Sequence, residues 1–320
     1  MKTLSELTDF YYKTLYPSLK KLDDDRKKLK SKIINIAIFF TFIMVFIVLL
    51  LKDFFFNSPE LLIFVTVVYI ILGSVVFKYL IKDYRKEFKQ KIMRPLIYAI
   101  DNNLNYSCES HVSRRIVERA DMFSKIDRLS GNDYVTGKID NINIEFSDIH
   151  AEKRHKDSKG REQWTTVFQG LFIMAEFHKD FNGKTIILPD TAQSSFGNLI
   201  GGWLQSNNFA RDELIKMDDI EFEKEFVVYG SDQIEARYIL SPNLMKKILT
   251  LKKRSKHPLY ISFVRSHIHI AIEYNKDLFE PSVFHSLLEY KIAMEYIDTL
   301  HLSLGIVKEL KLNEKLWSKK

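Results

Sequence analysis

The chain has 320 residues, 46% of them hydrophobic and 28% charged, with 48 Lys and Arg against 41 Asp and Glu for a formal net charge of +7. That hydrophobic share excludes a wholly disordered chain, and a single cysteine, Cys108, excludes an intramolecular disulfide and fits a reducing compartment. The positive balance invites a nucleic-acid partner, so the position of the excess charge decides that reading.

Leucines at 15, 19, 22 and 29, with charges between them, make a helical seam over Leu15 to Lys32. There follows an apolar run from Ile33 to Leu51, 19 residues interrupted only by Asn35 and Thr41. Nine residues later a second run, Leu61 to Phe77, has 17 residues. A helix needs roughly 20 apolar residues to cross about 30 Å of hydrocarbon. The first run meets that length. The second meets it when Lys78 snorkels and Tyr79, Leu80 and Ile81 extend it. The two runs, bounded by Ile33 and Leu51 and by Leu61 and Phe77, are expected to anchor the chain as a transmembrane hairpin over residues 33–81. Pro59 suits the first turn of the second helix, where its missing N–H costs nothing. The first run follows 32 mostly polar residues and precedes no small-residue cleavage site, so it is expected to persist as an anchor.

Positive residues near a span are retained in the cytoplasm. Residues 18–32 carry seven Lys and Arg, residues 78–94 carry another seven, and the connecting segment KDFFFNSPE has only Lys52. Both termini are therefore expected in the cytoplasm, in a multi-pass protein of the inner membrane. The two flanks hold 14 bases and five acids, which leaves 34 bases and 36 acids elsewhere. The remaining chain is not basic, and no nucleic-acid partner is expected. The flanking cations instead suit anionic headgroups, so membrane lipid is the expected partner of the hairpin.

The repeat Tyr84, Phe88, Ile92, Leu96 and Ile100 gives residues 82–104 an apolar helical stripe that pairs naturally with the seam of residues 1–32. This predicts an antiparallel stalk, kinked at Pro95 and able to mediate self-association, with a solvated charged linker as the alternative. Residues 105–320 form the expected cytoplasmic domain, with a possible division into halves near 193–219. Within it, His111 to Phe123 reads as a helix. Tyr134 to Ile139, Ile142 to Ala151, Thr165 to Phe177 and Thr185 to Leu188 read as strands, with turns signalled at Gly137, Gly160 and Asn182-Gly183. Glu152 to Gln163 reads as a long exposed loop between two of them. Ile220 to Tyr229 alternates as a strand, Ser241 and Pro242 start a helix, and Leu259 to Val264 with His267 to Tyr274 suggest a hairpin. A helix over Ser282 to Leu312, broken near Gly305, closes the chain. The predicted fold class is α+β with a largely antiparallel sheet.

Candidate chemistry is sparse. His267 and His269, at i and i+2 on a predicted strand, point to one face and are the candidate metal ligands, against a solvent-facing pair as the plainer reading. Asp232, Glu235 and Arg237 in SDQIEAR are the candidate partner or ligand contacts, against a turn-capping role. The acidic run from Asp218 to Glu225 offers a site for a divalent cation or a basic partner, against a polar sheet face as the plainer reading, and Asp298 with His301 lies one helical turn apart. Ser194 and Ser195 lack a nucleophile elbow, Cys108 lacks an activating His, and Gly197, Gly201 and Gly202 beside Trp203 do not make a phosphate loop. No catalytic residue and no cofactor is expected.

FQGLFIMAEFHKDFNGKTIILPD (168–190), EFEKEFVVYGSDQIEARYILSP (221–242) and LFEP (278–281), together with the apolar hairpin, resemble the family DUF3137, a domain of unknown function. The resemblance implies a bacterial inner-membrane protein and carries over no catalytic residue. The expected function is a membrane-anchored cytoplasmic module that binds a protein partner or a lipid headgroup. The alternative is a membrane-bound, metal-assisted hydrolase acting through His267 and His269.

Overall fold

The computed structural model describes residues 3–52, 54, 58–176, 181–190 and 213–310. Phe55 and Phe56 of the connecting segment, Phe177, Ser194, Ser195, the stretch from Gly197 to Trp203, and Lys311 and Leu312, where the final helix is expected to end, lie outside the described residues. In chain order the first elements are α1 (Leu4–Asp9), a π-helical turn at Phe10–Thr14, α2 (Tyr16–Leu50), α3 (Pro59–Phe88), a second π-helical stretch at Lys89–Met93, and α4 (Arg94–Ile100). There follow β1 (Asn105–Ser107), α5 (Arg114–Arg119), β2 (Arg128–Ile139), β3 (Ile142–Lys156), β4 (Glu162–Glu176) and β5 (Lys184–Pro189). The last are β6 (Glu213–Ile215), α6 (Ile220–Glu225), β7 (Phe226–Gly230), α7 (Gln233–Ile239), α8 (Pro242–Ser255), β8 (Leu259–Val264), β9 (His267–Glu273) and α9 (Tyr290–Glu309). The chain forms two units: Ser5–Leu96 with Glu280–Glu295, and the remaining described residues.

In the helical unit, α2 runs for 35 residues, or about 52 Å, so the charged seam and the apolar run are one helix. The apolar windows of α2 and α3 are long enough to cross a membrane, and no part of either is buried. Phe42 is 70% exposed and Phe64 64%, which distinguishes these helices from core helices of a soluble fold. The polar ends behave in the opposite way. Leu15, Leu19 and Leu22 are buried, as are Tyr84, Phe88, Ile92 and Leu96, while Leu29 is only half-buried. Pro95, where a kink is expected, follows the π-helical stretch, whose wider turn relieves the clash between its ring and the preceding turn.

The segment 280–289, whose residues from Ser282 on are expected to start the last helix, is a strap without helical structure. Side-chain bonds to the backbone compete with the helix here. Ser282 Oγ accepts from the amides of Phe284 and His285, Ser286 Oγ from Leu288, and Glu289 Oε1 from Ser286. The helix begins only at Tyr290 and passes through Gly305 unbroken.

The second unit is built on an antiparallel sheet of nine described strands in the order β1-β2-β3-β4-β9-β8-β5-β7-β6. The β2–β3 hairpin turns at Asp140 and Asn141, both with positive φ, as a two-residue turn requires. Gly137, expected at a turn, lies inside β2, where Asn103 O would stand 2.5 Å from an added Cβ. The expected loop Glu152 to Gln163 is mostly strand. β3 and β4 stay paired as far as Lys156 and Glu162, and Asp157 closes a short turn by accepting from Lys159 and Arg161 amides. Polar residues masked this extension because a ribbon exposed on both faces has no apolar alternation to read.

The expected strand over Ile220 to Tyr229 is half helix. Asp219 caps α6 by accepting from Glu221 N and Phe222 N, and strand geometry begins only at Phe226. The expected helix over His111 to Phe123 shortens to α5, whose Val117 joins Val112, Ala120 and Met122 against Ile149, Phe168 and Phe172 of the sheet. Ser241 caps α8, with Pro242 at its first position, as the sequence indicates. The strands β8 and β9 fall on the expected hairpin.

Candidate functional site

The candidate metal ligands sit in the middle of the sheet. His267 and His269 are both on β9 with ring centroids 6.2 Å apart, but only His267 reaches the half-exposed margin. His269 is fully buried beside Phe172, with its Nδ1 3.3 Å from Ser262 Oγ. Burial, followed by the charges of His267 and of Arg119 at the end of α5, pulls its pKa down to about 3, so it is a neutral core residue at ordinary pH. The plainer expectation, a solvent-facing pair, therefore fails at His269: a central strand covered on both faces has no solvent face to offer. Among the described residues no group of three His, Cys, Asp or Glu side chains is placed to hold a metal.

Asp232, Glu235 and Arg237 lie on and before α7. Asp232 is its N-cap, accepting from Ile234 N and Glu235 N. Glu235 turns back to accept from Asn182 N at 3.1 Å and Gly183 N at 2.8 Å, while Ser231 Oγ accepts from Lys184 N. A Cβ on Gly183 would stand 2.4 Å from Ser231 Oγ, so the Asn182-Gly183 turn and the SDQIEAR motif are built for each other. Arg237 is exposed and lies 3.7 Å from Asp218. The triad is thus not one convergent cluster; two of its members are consumed by local backbone amides. Asp298 is exposed, and His301 Nδ1 lies 2.7 Å from an Arg254 guanidinium nitrogen.

The densest arrangement of polar side chains is one the sequence did not single out. In the helical unit, Asp23 and Arg26 on α2 pair at 2.8 Å with side chains only 3% and 8% exposed. Ser286 Oγ donates to Asp23 at 2.7 Å, and Arg26 donates to Val283 O. On the other arm, Glu280 lies 3.0 Å from Arg85 and 2.7 Å from Lys89. Tyr84 donates to Ser282 O and Tyr11 to Leu287 O. Burial alone would raise the Asp23 carboxyl; the hydrogen bonds from Arg26, Ser286 and Lys27 outweigh it and hold the group down at about 2. The signal available in the sequence was a set of charges at apolar-facing positions of the stalk, uninterpretable without the strap that meets them.

The apolar anchors behave as a membrane surface should. Ile34, Ile38, Phe42 and Leu49 on α2, and Ile63, Val67, Ile71 and Leu72 on α3, are exposed. The two helices touch through a hydrogen bond between Thr41 and Tyr69 hydroxyls at 2.8 Å.

These features define a membrane-associated α+β protein: two exposed apolar helices, then an antiparallel sheet with a C-terminal helix. Residues 166–312 match the family model DUF3137, described as a protein of unknown function, so the resemblance carried by the sequence motifs is borne out over that segment. No curated protein matches the chain. Among solved structures, the crystal structure of the mycobacterial trehalose monomycolate transport factor A, TtfA, is similar at 11% identity over 66% of this chain and 91% of that one, with a TM-score of 0.35. At that score the two are not shown to share a fold.

Proposed function

We propose that the chain is a bacterial inner-membrane protein with both termini in the cytoplasm, whose sheet unit is a non-enzymatic module recognising a protein partner or a lipid headgroup at the inner face. The observation that carries this reading is that no residue of the apolar windows of α2 and α3 is buried, an arrangement that a hydrocarbon environment accommodates. The charge distribution supports the orientation, with seven cations on each polar flank and only Lys52 between the spans. Self-association through the stalk would have to use a surface other than Leu15, Leu19 and Leu22, which are buried.

The hydrolase reading gains no support from its two histidines, since His269 is a neutral core side chain. The module reading is tested in two parts. A reporter active only in the periplasm, fused after Lys320, should be inactive. Photo-crosslinking in native membranes should then capture a lipid or a protein only when the sheet unit is folded. An active reporter overturns the orientation, and capture that survives unfolding of the sheet overturns the module.

A further inference from the structure

A groove of about 490 Å³ runs between α2 and α3, walled by Ile33, Ala37 and Phe40 on one helix and by Ile70, Gly73 and Phe77 on the other. Its hydroxyls are already occupied: Ser74 Oγ donates to Ile70 O, and Tyr69 is bonded to Thr41. Along its length the groove therefore presents hydrocarbon. Near one end, beside Leu80, its lining includes Lys78, whose exposed side chain has no acidic partner among the described residues, and Lys32 directly precedes the lining residue Ile33.

A trough that is apolar inside and cationic at one end fits an amphiphile with an acyl chain and an anionic head. A second transmembrane helix fits poorly, because close helix approach needs small residues four apart. Gly73 has Tyr69 and Phe77 at those positions, and their rings hold a neighbouring backbone away. A slim, flexible chain can use the space beside Gly73, where an added Cβ would meet nothing within 4 Å.

We propose that this groove is a binding site for one anionic phospholipid, with an acyl chain against Phe40, Ile70 and Gly73 and the phosphate at Lys78. The inference rests on the reading that α2 and α3 cross a membrane, and it names the lipid class that this part of the chain recognises.

The same opening beside Gly73 supplies the test, since Gly73 lines the groove and a Cβ added there enters open space, which leaves room to begin a bulky side chain. The full chain would be released from nanodiscs containing equal phosphatidylglycerol and phosphatidylcholine, and bound lipid counted by native mass spectrometry. The expected result is one retained lipid per chain, with phosphatidylglycerol favoured by about fivefold, the ratio that one basic residue at a membrane surface supplies. Gly73→Phe should bring retention of both lipids down to background while leaving the circular dichroism melt unchanged. Lys78→Gln should equalise the two lipids without abolishing retention. Wild-type retention without headgroup preference, or a Gly73→Phe protein that retains lipid as well as the wild type, overturns the proposal. A wild-type dimer that Gly73→Phe converts to a monomer also overturns it, by assigning the groove to a second copy. Release of the chain from membranes by alkaline carbonate sinks the membrane reading itself, a failure distinct from the others.

Discussion

Lys89 Nζ lies 2.7 Å from Glu280 Oε1, and the two side chains are only 8% and 13% exposed. A charge pair so far from water depends on both members, because removing one takes this opposite charge from a side chain that stays buried. Glu280→Ala is expected to cost about 3 kcal/mol and to open the strap to limited proteolysis at 281–289. The double variant Lys89→Met with Glu280→Leu should recover part of that loss, since apolar groups of similar volume need no partner, while Arg85, which also faces Glu280, is 41% exposed and stays within reach of water. Proteolysis rates of the detergent-solubilised chain distinguish the two. Equal susceptibility of the single and double variants would contradict the pairing.

The Asp23 carboxyl gives the helical unit an acid-sensitive tie. Its folded value, about 2, lies below the ordinary 3.8, so the ionised form stabilises the fold fully above pH 3.8. That contribution, about 2 kcal/mol, is lost as the pH falls through 2. Melts recorded between pH 5 and pH 2 should show a fall in midpoint that Asp23→Asn abolishes. An Asp23→Asn protein with the wild-type pH profile would show that another group carries the loss.

His269 acts on the sheet unit in a different pH window. Burial holds it neutral, with a folded value of about 3 against the ordinary 6.5, so the unfolded chain takes up a proton that the folded chain refuses. Stability is complete above pH 6.5 and declines by about 1.4 kcal/mol per pH unit below it, until the folded imidazole itself titrates near 3. His269→Leu removes the buried ring nitrogen and should flatten this slope, changing stability at pH 7.5 by about 1 kcal/mol or less. Urea midpoints at pH 7.5 and 5.0 measure it; an unchanged slope in His269→Leu would exclude His269 as its source.

The difference between Asp23 and His269 shows what the sequence made legible. The spans, their flanks and the hairpins over residues 134–151 and 259–274 could be read because each has a local period: a long apolar run, or strand alternation broken by a turn. The ribbon arms at Glu152 to Lys156 are polar on both faces and carry no such signal. Ile220 to Glu225 alternates as a strand does, yet the Asp219 carboxylate captures two amides and turns it into helix. The strap was unreadable because its meaning lies in Asp23, Arg26 and Lys89, which no local window brings beside it. His267 and His269 share a face as their spacing requires, but spacing cannot say that the face is covered.

Glu235 and Asp232 offer a direct comparison of capping with recognition. If their role is the backbone they already hold, Glu235→Ala frees the amides of Asn182 and Gly183 and should cost about 1–2 kcal/mol. Asp232→Ala should cost about 1 kcal/mol through loss of the α7 cap. Arg237→Ala, whose one carboxylate contact is long and exposed, should change stability by less than about 0.5 kcal/mol. Chemical denaturation orders the three. Loss of crosslinked partner in Arg237→Ala at unchanged stability would instead mark Arg237 as a contact.

The strap has a consequence for how the chain is made. Asp23, Arg26 and Lys89 leave the ribosome early, and the residues that complete their pairing, Glu280, Val283 and Ser286, follow only after the whole sheet has been translated. At ordinary rates of synthesis that interval is on the order of ten to forty seconds. Through it the nascent helices must hold their half-paired charges in water or in the care of a chaperone, so ribosomes stalled before codon 280 should leave a species that quality-control proteases recognise and finished chains escape.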